Sequence, residues 1–156
     1  NIIFIPCVPS KHLSDVDDYK ELSLNTWRHY ANRIGAELMI MDTPLRNPDE
    51  MKITWQRWYV HDILESNNVE YDNIFMVDVD TMIHWNAPNI FEECANGKFR
   101  ACVDNDNLGW LKESIEGYQH MFPDTRVDWE TYFNCGIILM NKEHKDLLKK
   151  STRIKL

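Results

Sequence analysis

The sequence has no Cys-x-x-Cys pair, no apolar run approaching a membrane span and no long stripe of Lys and Arg, and each absence removes a class of protein. The cysteines Cys7, Cys94, Cys102 and Cys135 are too scattered to form a zinc knuckle. A spanning helix needs ~20 apolar residues, so no transmembrane segment is expected within this chain. Against 25 Asp and Glu stand 17 Lys and Arg, a net charge of −8, which argues against a general nucleic-acid binder. Internal repeats, low-complexity tracts and dividing linkers are lacking too.

What is present suits a folded domain: 156 residues, 44% hydrophobic and 27% charged. A chain of this length buries roughly 68–70% of its unfolded surface, enough for one core without disulfide staples. Cys7, Cys102 and Cys135 lie in or beside apolar runs and are expected to be small core residues. Free thiols favour a reducing compartment, and with no targeting segment in view the expectation is cytoplasmic. Residue 1 is Asn, so the start reads as processed or trimmed and a missing leader carries little weight.

The apolar run Ile2–Val8, ended by Pro9-Ser10, reads as a buried strand. Asp17 or Asp18 can cap a helix whose Leu24, Trp27, Ala31 and Ile34 recur at helical spacing, with Gly35 at its C-terminal cap. Leu38–Met41 is a second strand, and Pro44–Glu50 breaks the chain. A well-buried second helix is expected from about Met51 to Ser66, stopped by Asn67-Asn68, before a third strand, Asn73–Val77. Strand and helix alternate in the manner of crossovers building a parallel sheet. Later come a short helix near Ile90–Ala95, a strand at Phe99–Val103, and a weak helix near Leu108–Tyr118. A strand at Tyr132–Met140, single or kinked at Gly136, precedes a lysine-rich helix capped by Asn141.

Asp78-Val79-Asp80 is the sharpest chemical feature. In an extended chain residues two apart share a side, so both carboxylates can face one ligand while Val79 turns to the core. The pair ends a buried parallel strand, where open α/β sheets keep their ligands. Neighbouring carboxylates repel unless a cation or proton intervenes, and a hard divalent ion meets that need.

After the acidic pair comes Thr81-Met-Ile-His-Trp-Asn-Ala-Pro-Asn-Ile-Phe-Glu92, and some fifty residues on stands Tyr132-Phe-Asn-Cys-Gly-Ile-Ile-Leu-Met-Asn141. Together these resemble the GT-A glycosyltransferases, especially the retaining group of glycogenin and bacterial lipopolysaccharide galactosyltransferases, over roughly residues 1–145. The resemblance implies an α/β, Rossmann-like, mostly parallel sheet flanked by helices, forming one domain over 1–156, C-terminally minimal or truncated. It implies transfer of a hexose from a UDP- or GDP-sugar to a glycan, protein or lipid-linked acceptor, with retention.

By the same resemblance Asp78 and Asp80 would hold Mn²⁺ (or Mg²⁺) against the donor diphosphate. Asn134 would bond the donor sugar, with Gly136 allowing close backbone approach, or simply marking a strand bulge. Asp104 corresponds to a carboxylate near the sugar ring, and Pro6-Cys7-Val8 would line the base and ribose pocket. Arg57 or Lys52 would reach sugar or phosphate, unless taken up in a salt bridge; Arg57 and His61, at i and i+4, are expected to share a helix side. Asp128, Trp129 and Glu130 would border the acceptor. Trp129 and Trp110 could stack on a sugar, though core packing is the stronger expectation. An inverting enzyme would need a base from Asp104, Asp106 or Glu130.

Two features depart from that group. The His-containing C-terminal segment that supplies a third metal ligand is not found, leaving His120 or His144 as substitutes. A carboxylate or amide usual on the helical segment beyond the last strands is missing too. Two other readings follow from the same residues. Ile74–Thr81 also resembles the nucleophile loop of haloacid-dehalogenase-like phosphatases, with Asp78 as nucleophile and Asp80 as acid/base. Against it, two strand-helix units precede the motif, and the later pair Asp124 and Asp128 follows no strand. The third reading is a sugar-nucleotide-binding module without turnover.

Overall fold

The computed structural model describes residues 1–9, 16–94, 96–104, 107–120 and 123–152, with backbone alone at 16–19, 94 and 149–152. Five strands, β1 (Ile2–Pro6), β2 (Glu37–Met41), β3 (Asn73–Val77), β4 (Arg100–Val103) and β5 (Phe133–Asn141), form one sheet in the order β2-β1-β3-β5-β4. β1 pairs in parallel with β2 and β3, whereas β5 runs antiparallel to both β3 and β4. β4 therefore points the same way as β3, and the α/β sheet is parallel save for β5.

Helix α1 (Val16–Ile34) covers one face. Its Leu24, Trp27, Tyr30 and Ala31 pack with Ile3, Ile5, Phe75, Val77 and Leu139. Asp17 and Asp18 fall inside its first turn rather than at its cap. Gly35 closes the helix at φ 68°, where Ala36 N donates to Ala31 O at 3.0 Å.

The other face carries Ile2, Phe4, Ile74, Met76, Ile138 and Met140 under Val60, Leu64 and Leu148. The expected single helix over Met51–Ser66 is instead three pieces: α2 (Ile53–Gln56), a 3-10 turn at Arg57–Tyr59, and α3 (Val60–Ser66). Trp55, Trp58 and Ile63 are only half-buried. The change of pitch separates the residues expected to share a side. Arg57 faces the sheet edge, while His61 is buried and pairs through Nδ1 with the Tyr71 hydroxyl at 2.8 Å. A second polar residue is buried here: Gln56 accepts from Leu45 N and Arg46 N and donates to Arg46 O and Met51 O, fastening the Pro-rich loop.

Beyond β3 lie α4 (Ile90–Cys94), α5 (Leu108–Gln119) and α6 (Lys145–Thr152). Asn107 caps α5 by accepting from Gly109 N and Trp110 N. Asn141 starts the final helical segment with a reciprocal cap that uses His144 Nδ1. Cys7 is buried as expected, but Cys102 and Cys135, both free, are exposed as residues rather than core, because both sit where β4 and β5 leave the core. Trp110 and Trp129 are likewise 50% and 52% exposed rather than core. No described helix is long and apolar enough to cross a membrane.

Candidate functional site

The strand β3 stops at Val77, so Asp78 and Asp80 are not an extended pair as the sequence suggests. They lie on a turn: Thr81 donates to Asp78 O from its backbone N at 3.1 Å and from its hydroxyl at 2.5 Å. Val79, between them, packs against the α1-side core as expected. The turn brings both carboxylates to one cleft of about 600 Å³, which Thr81, Cys102, Val103, Asp104, Asn134, Gly136 and Ile137 also line. This cleft sits at the C-terminal ends of β3 and β4, the edge at which open α/β sheets bind ligands.

A wide bulge in β5 shapes the floor. Ala101 pairs with Ile138 but Cys102 pairs with Asn134, so Cys135, Gly136 and Ile137 stand out of the β4 ladder. The bulge stays tied to β3, where Asp78 N donates to Gly136 O at 2.8 Å. Asn134 Oδ1 accepts from Gly136 N at 2.6 Å, bending the chain back on itself. A Cβ on Gly136 would fall 2.6 Å from Asp78 Oδ2 and 2.8 Å from Asn134 Oδ1. Glycine is there because the Asp78 carboxylate occupies the space a side chain would take.

The Asp78 carboxylate is fixed from the other side by Arg57. Arg57 Nη1 lies 2.6 Å from Asp78 Oδ1 and donates to Cys135 O at 3.0 Å, while Nε donates to Thr54 O at 3.0 Å. One guanidinium thus joins the 3-10 turn, the end of β3 and the β5 bulge, with a fork geometry lysine lacks. Desolvation pushes the pKa of the Cys135 thiol above its ordinary value, with Arg57 pulling the other way and Asp78 adding to the rise, so the thiol stays protonated at neutral pH.

Supports for the turn come from α1 and have no counterpart in the sequence reading. Ser23, 1% exposed, donates to Thr81 O at 2.6 Å, and the Trp27 indole donates to the same oxygen at 3.1 Å. Thr26 Oγ1 accepts from Ile83 N at 3.2 Å. The signal available was a polar residue, Ser23, interrupting an apolar helix stripe.

Of the other residues singled out by sequence, Asp104 lines the cleft and donates from its backbone N to Tyr132 O at 2.9 Å. Pro6, Cys7 and Val8 do not line it; Cys7 and Val8 are buried in the two cores and Pro6 is half-buried. Glu130 is exposed on a 3-10 turn over Trp129–Thr131, where its backbone N donates to Asp128 Oδ1. Lys52 precedes α2 and is exposed. His144 is consumed by its capping role and by contact with Phe99, and His120 ends α5; neither lines the cleft. Asp106 lies outside the described residues.

Among the described residues no three His, Cys, Asp or Glu side chains are grouped to hold a metal on their own. The donor set of Asp78 and Asp80 is nonetheless all oxygen. Gly136 keeps Asp78 Oδ2 clear of a side chain. Two carboxylates with room for further oxygen ligands suit a hard cation that keeps part of its shell for phosphate and water.

No protein-family model and no curated protein matches the chain. Among solved structures it is similar to a glycosyltransferase involved in the glycosylation of the major capsid of PBCV-1, at 11% identity and a TM-score of 0.58, covering 96% of this chain and 63% of that one. It is also similar to mouse xyloside xylosyltransferase 1 in its apo form, at 11% identity and a TM-score of 0.53, covering 99% of this chain and 71% of that one. The chain shares the α/β fold of these two neighbours, and it spans less than two thirds of the first one's length.

Proposed function

We propose that the protein is a metal-dependent glycosyltransferase that moves a hexose from a nucleotide sugar to an acceptor hydroxyl, with retention. The observation that carries this reading is the convergence of Asp78, Asp80, Asp104 and Asn134 on one cleft at the sheet edge of a glycosyltransferase fold. A protein of net charge −8 holds a diphosphate poorly without a bridging cation. Asp78 and Asp80 would hold Mn²⁺ or Mg²⁺ here, and the cation would supply neutralisation of the charge growing on the departing phosphate.

The chain's own residues then have separable tasks. Arg57 holds Asp78 in one orientation, so that no ordering is needed when the donor arrives. Asn134, whose Oδ1 accepts from Gly136 N, would offer its amide N–H groups at the cleft wall to sugar hydroxyls. Asp104 supplies a carboxylate on the opposite strand end, where it can accept from the sugar ring. A phosphatase would need Asp78 free to attack phosphorus. Its Oδ1 is held in an ion pair by Arg57, which suits a fixed ligand better than a nucleophile, while Gly136 leaves Oδ2 clear of a side chain.

The test is thermal unfolding with Mn²⁺ and UDP or GDP. A nucleotide at about a hundred times its Kd stabilises by about 2.7 kcal/mol, or roughly 5–10 °C for a domain of this size. That shift is expected to need the cation and to vanish in Asp80→Ala. No shift with any nucleotide, or steady phosphate release from a generic ester, would overturn the assignment. Binding without transfer to any hydroxyl would leave a binding module. Anomeric proton couplings in the product decide retention.

A further inference from the structure

A second cavity, of about 300 Å³, lies beside the cleft and is lined by Trp55, Ile115, Tyr118, Gln119, Val127, Tyr132 and Phe133. Helix α5 supplies Ile115, Tyr118 and Gln119 at i, i+3 and i+4, one face of the helix. α2 supplies Trp55, whose ring meets that of Tyr118 edge-on at 6.2 Å. The start of β5 and the residue before it supply Phe133 and Tyr132.

Two of the polar groups here are already engaged. Gln119 Nε2 donates to Thr125 O at 3.0 Å, and the Tyr132 hydroxyl bonds Ser114. Desolvation raises the Tyr132 pKa above its ordinary value, as a dry setting would. Walls this apolar repay the hydration of sugar hydroxyls poorly, and they suit an aromatic ring or a short alkyl chain better. The groove also abuts the cleft: Val103, a cleft residue, is the register partner of Phe133, a groove residue. Side chains so paired stand about 4.5–5.5 Å apart, within the reach of one small molecule.

We propose that this groove is the acceptor subsite for an apolar aglycone, so that the preferred acceptor carries its reacting hydroxyl beside an aromatic or short alkyl group. The inference rests on the transferase reading for the word acceptor; the groove's preference for apolar groups stands on its own walls. Val103 and Ile137, both exposed and both in the cleft wall, continue the apolar surface toward the donor carboxylates. The acceptor's hydroxyl-bearing end would then project into the cleft while its apolar end fills the groove.

The probes are phenyl, hexyl and methyl glycosides of one sugar, titrated as monomers by saturation-transfer NMR and tryptophan fluorescence. The phenyl and hexyl compounds are expected to bind at least tenfold more tightly than the methyl compound. Tyr118→Ser and, separately, Phe133→Ser should bring the three within about twofold while leaving the far-ultraviolet dichroism unchanged. Equal affinities in the unsubstituted protein, or a preference that survives both substitutions, would overturn the proposal. So would concentration-dependent dimerisation abolished by Tyr118→Ser, which would give the groove to a second copy of the chain. The Mn²⁺–nucleotide shift is measured on the same samples. If it occurs without aglycone preference, only the groove assignment falls. If the preference occurs without it, the transferase reading falls and takes the acceptor role along.

Discussion

Gly136 carries a constraint out of proportion to its size. Asp78 Oδ2 and Asn134 Oδ1 occupy the space of its absent side chain, and neither neighbour is free to retreat. Asp78 is held by Arg57, and Asn134 Oδ1 is held by the Gly136 N–H itself. Gly136→Ala is therefore expected to cost about 1–3 kcal/mol, as overpacking does, and to weaken Mn²⁺–nucleotide binding at least tenfold. Chemical unfolding and calorimetry check the two parts. At this scale the sequence was partly legible: Asp78, Asp80, Asp104, Asn134 and Gly136 can be picked out by motif, and all five line the cleft. The Arg57–Asp78 pairing was offered by sequence only as a generic salt bridge. Which acid it meets depends on a change of helix pitch at Arg57–Tyr59 that no periodicity signals.

Among the elements, α1 does more than cover a sheet face. Ser23 and Trp27 converge on one carbonyl, Thr81 O, and Thr26 holds Ile83 N, so the helix grips the chain just after the acidic pair. Removing one of two donors leaves the carbonyl partnered, whereas removing both leaves it bare. Ser23→Ala is expected to cost roughly 0.5–1.5 kcal/mol. Its combination with Trp27→Phe should exceed the sum of the two, since they share an acceptor. A urea double-mutant cycle measures the excess, and nucleotide affinity should fall with it. The strands were readable from short apolar runs, as was α1 from its stripe. The Met51–Ser66 segment misled because it is apolar on nearly every side, so its pattern could not reveal where α2 gives way to α3. The exposure of Trp110 and Trp129 was also unreadable, for a large aromatic signals burial whether or not a neighbour arrives to cover it.

Across the whole molecule, stability should depend on pH through one residue remote from the cleft. His61 is buried, Tyr71 takes its Nδ1, and its Nε2 has no hydrogen-bond partner among the described residues. Burial, helped by Lys145 and His144 and opposed by Glu65 and Asp62, lowers its pKa from 6.5 to about 4. The folded state therefore keeps the ring neutral while the unfolded chain takes up a proton below pH 6.5. This contribution is complete above that value, is lost as pH falls toward about 4, and changes no further below. Its slope reaches at most about 1.4 kcal/mol per pH unit. His61→Gln keeps a hydrogen-bonding group for Tyr71 without the titration. Urea midpoints for the two proteins are expected to converge as pH falls from 6.5 to 4; parallel curves would disprove the account.

The extra residues of β5, Cys135 to Ile137, have a consequence for how this chain can change over time. Substitutions in that stretch alter chemistry one position at a time, but insertion or loss of a single amino acid would alter parity. Downstream, wherever the bulge did not itself take up the change, Ile138 and Met140 would trade sides of the sheet with Leu139, exchanging the contents of two hydrophobic layers at once. Length at the bulge is for that reason far less free to drift than identity, and natural variation there should appear as replacements, almost never as gaps.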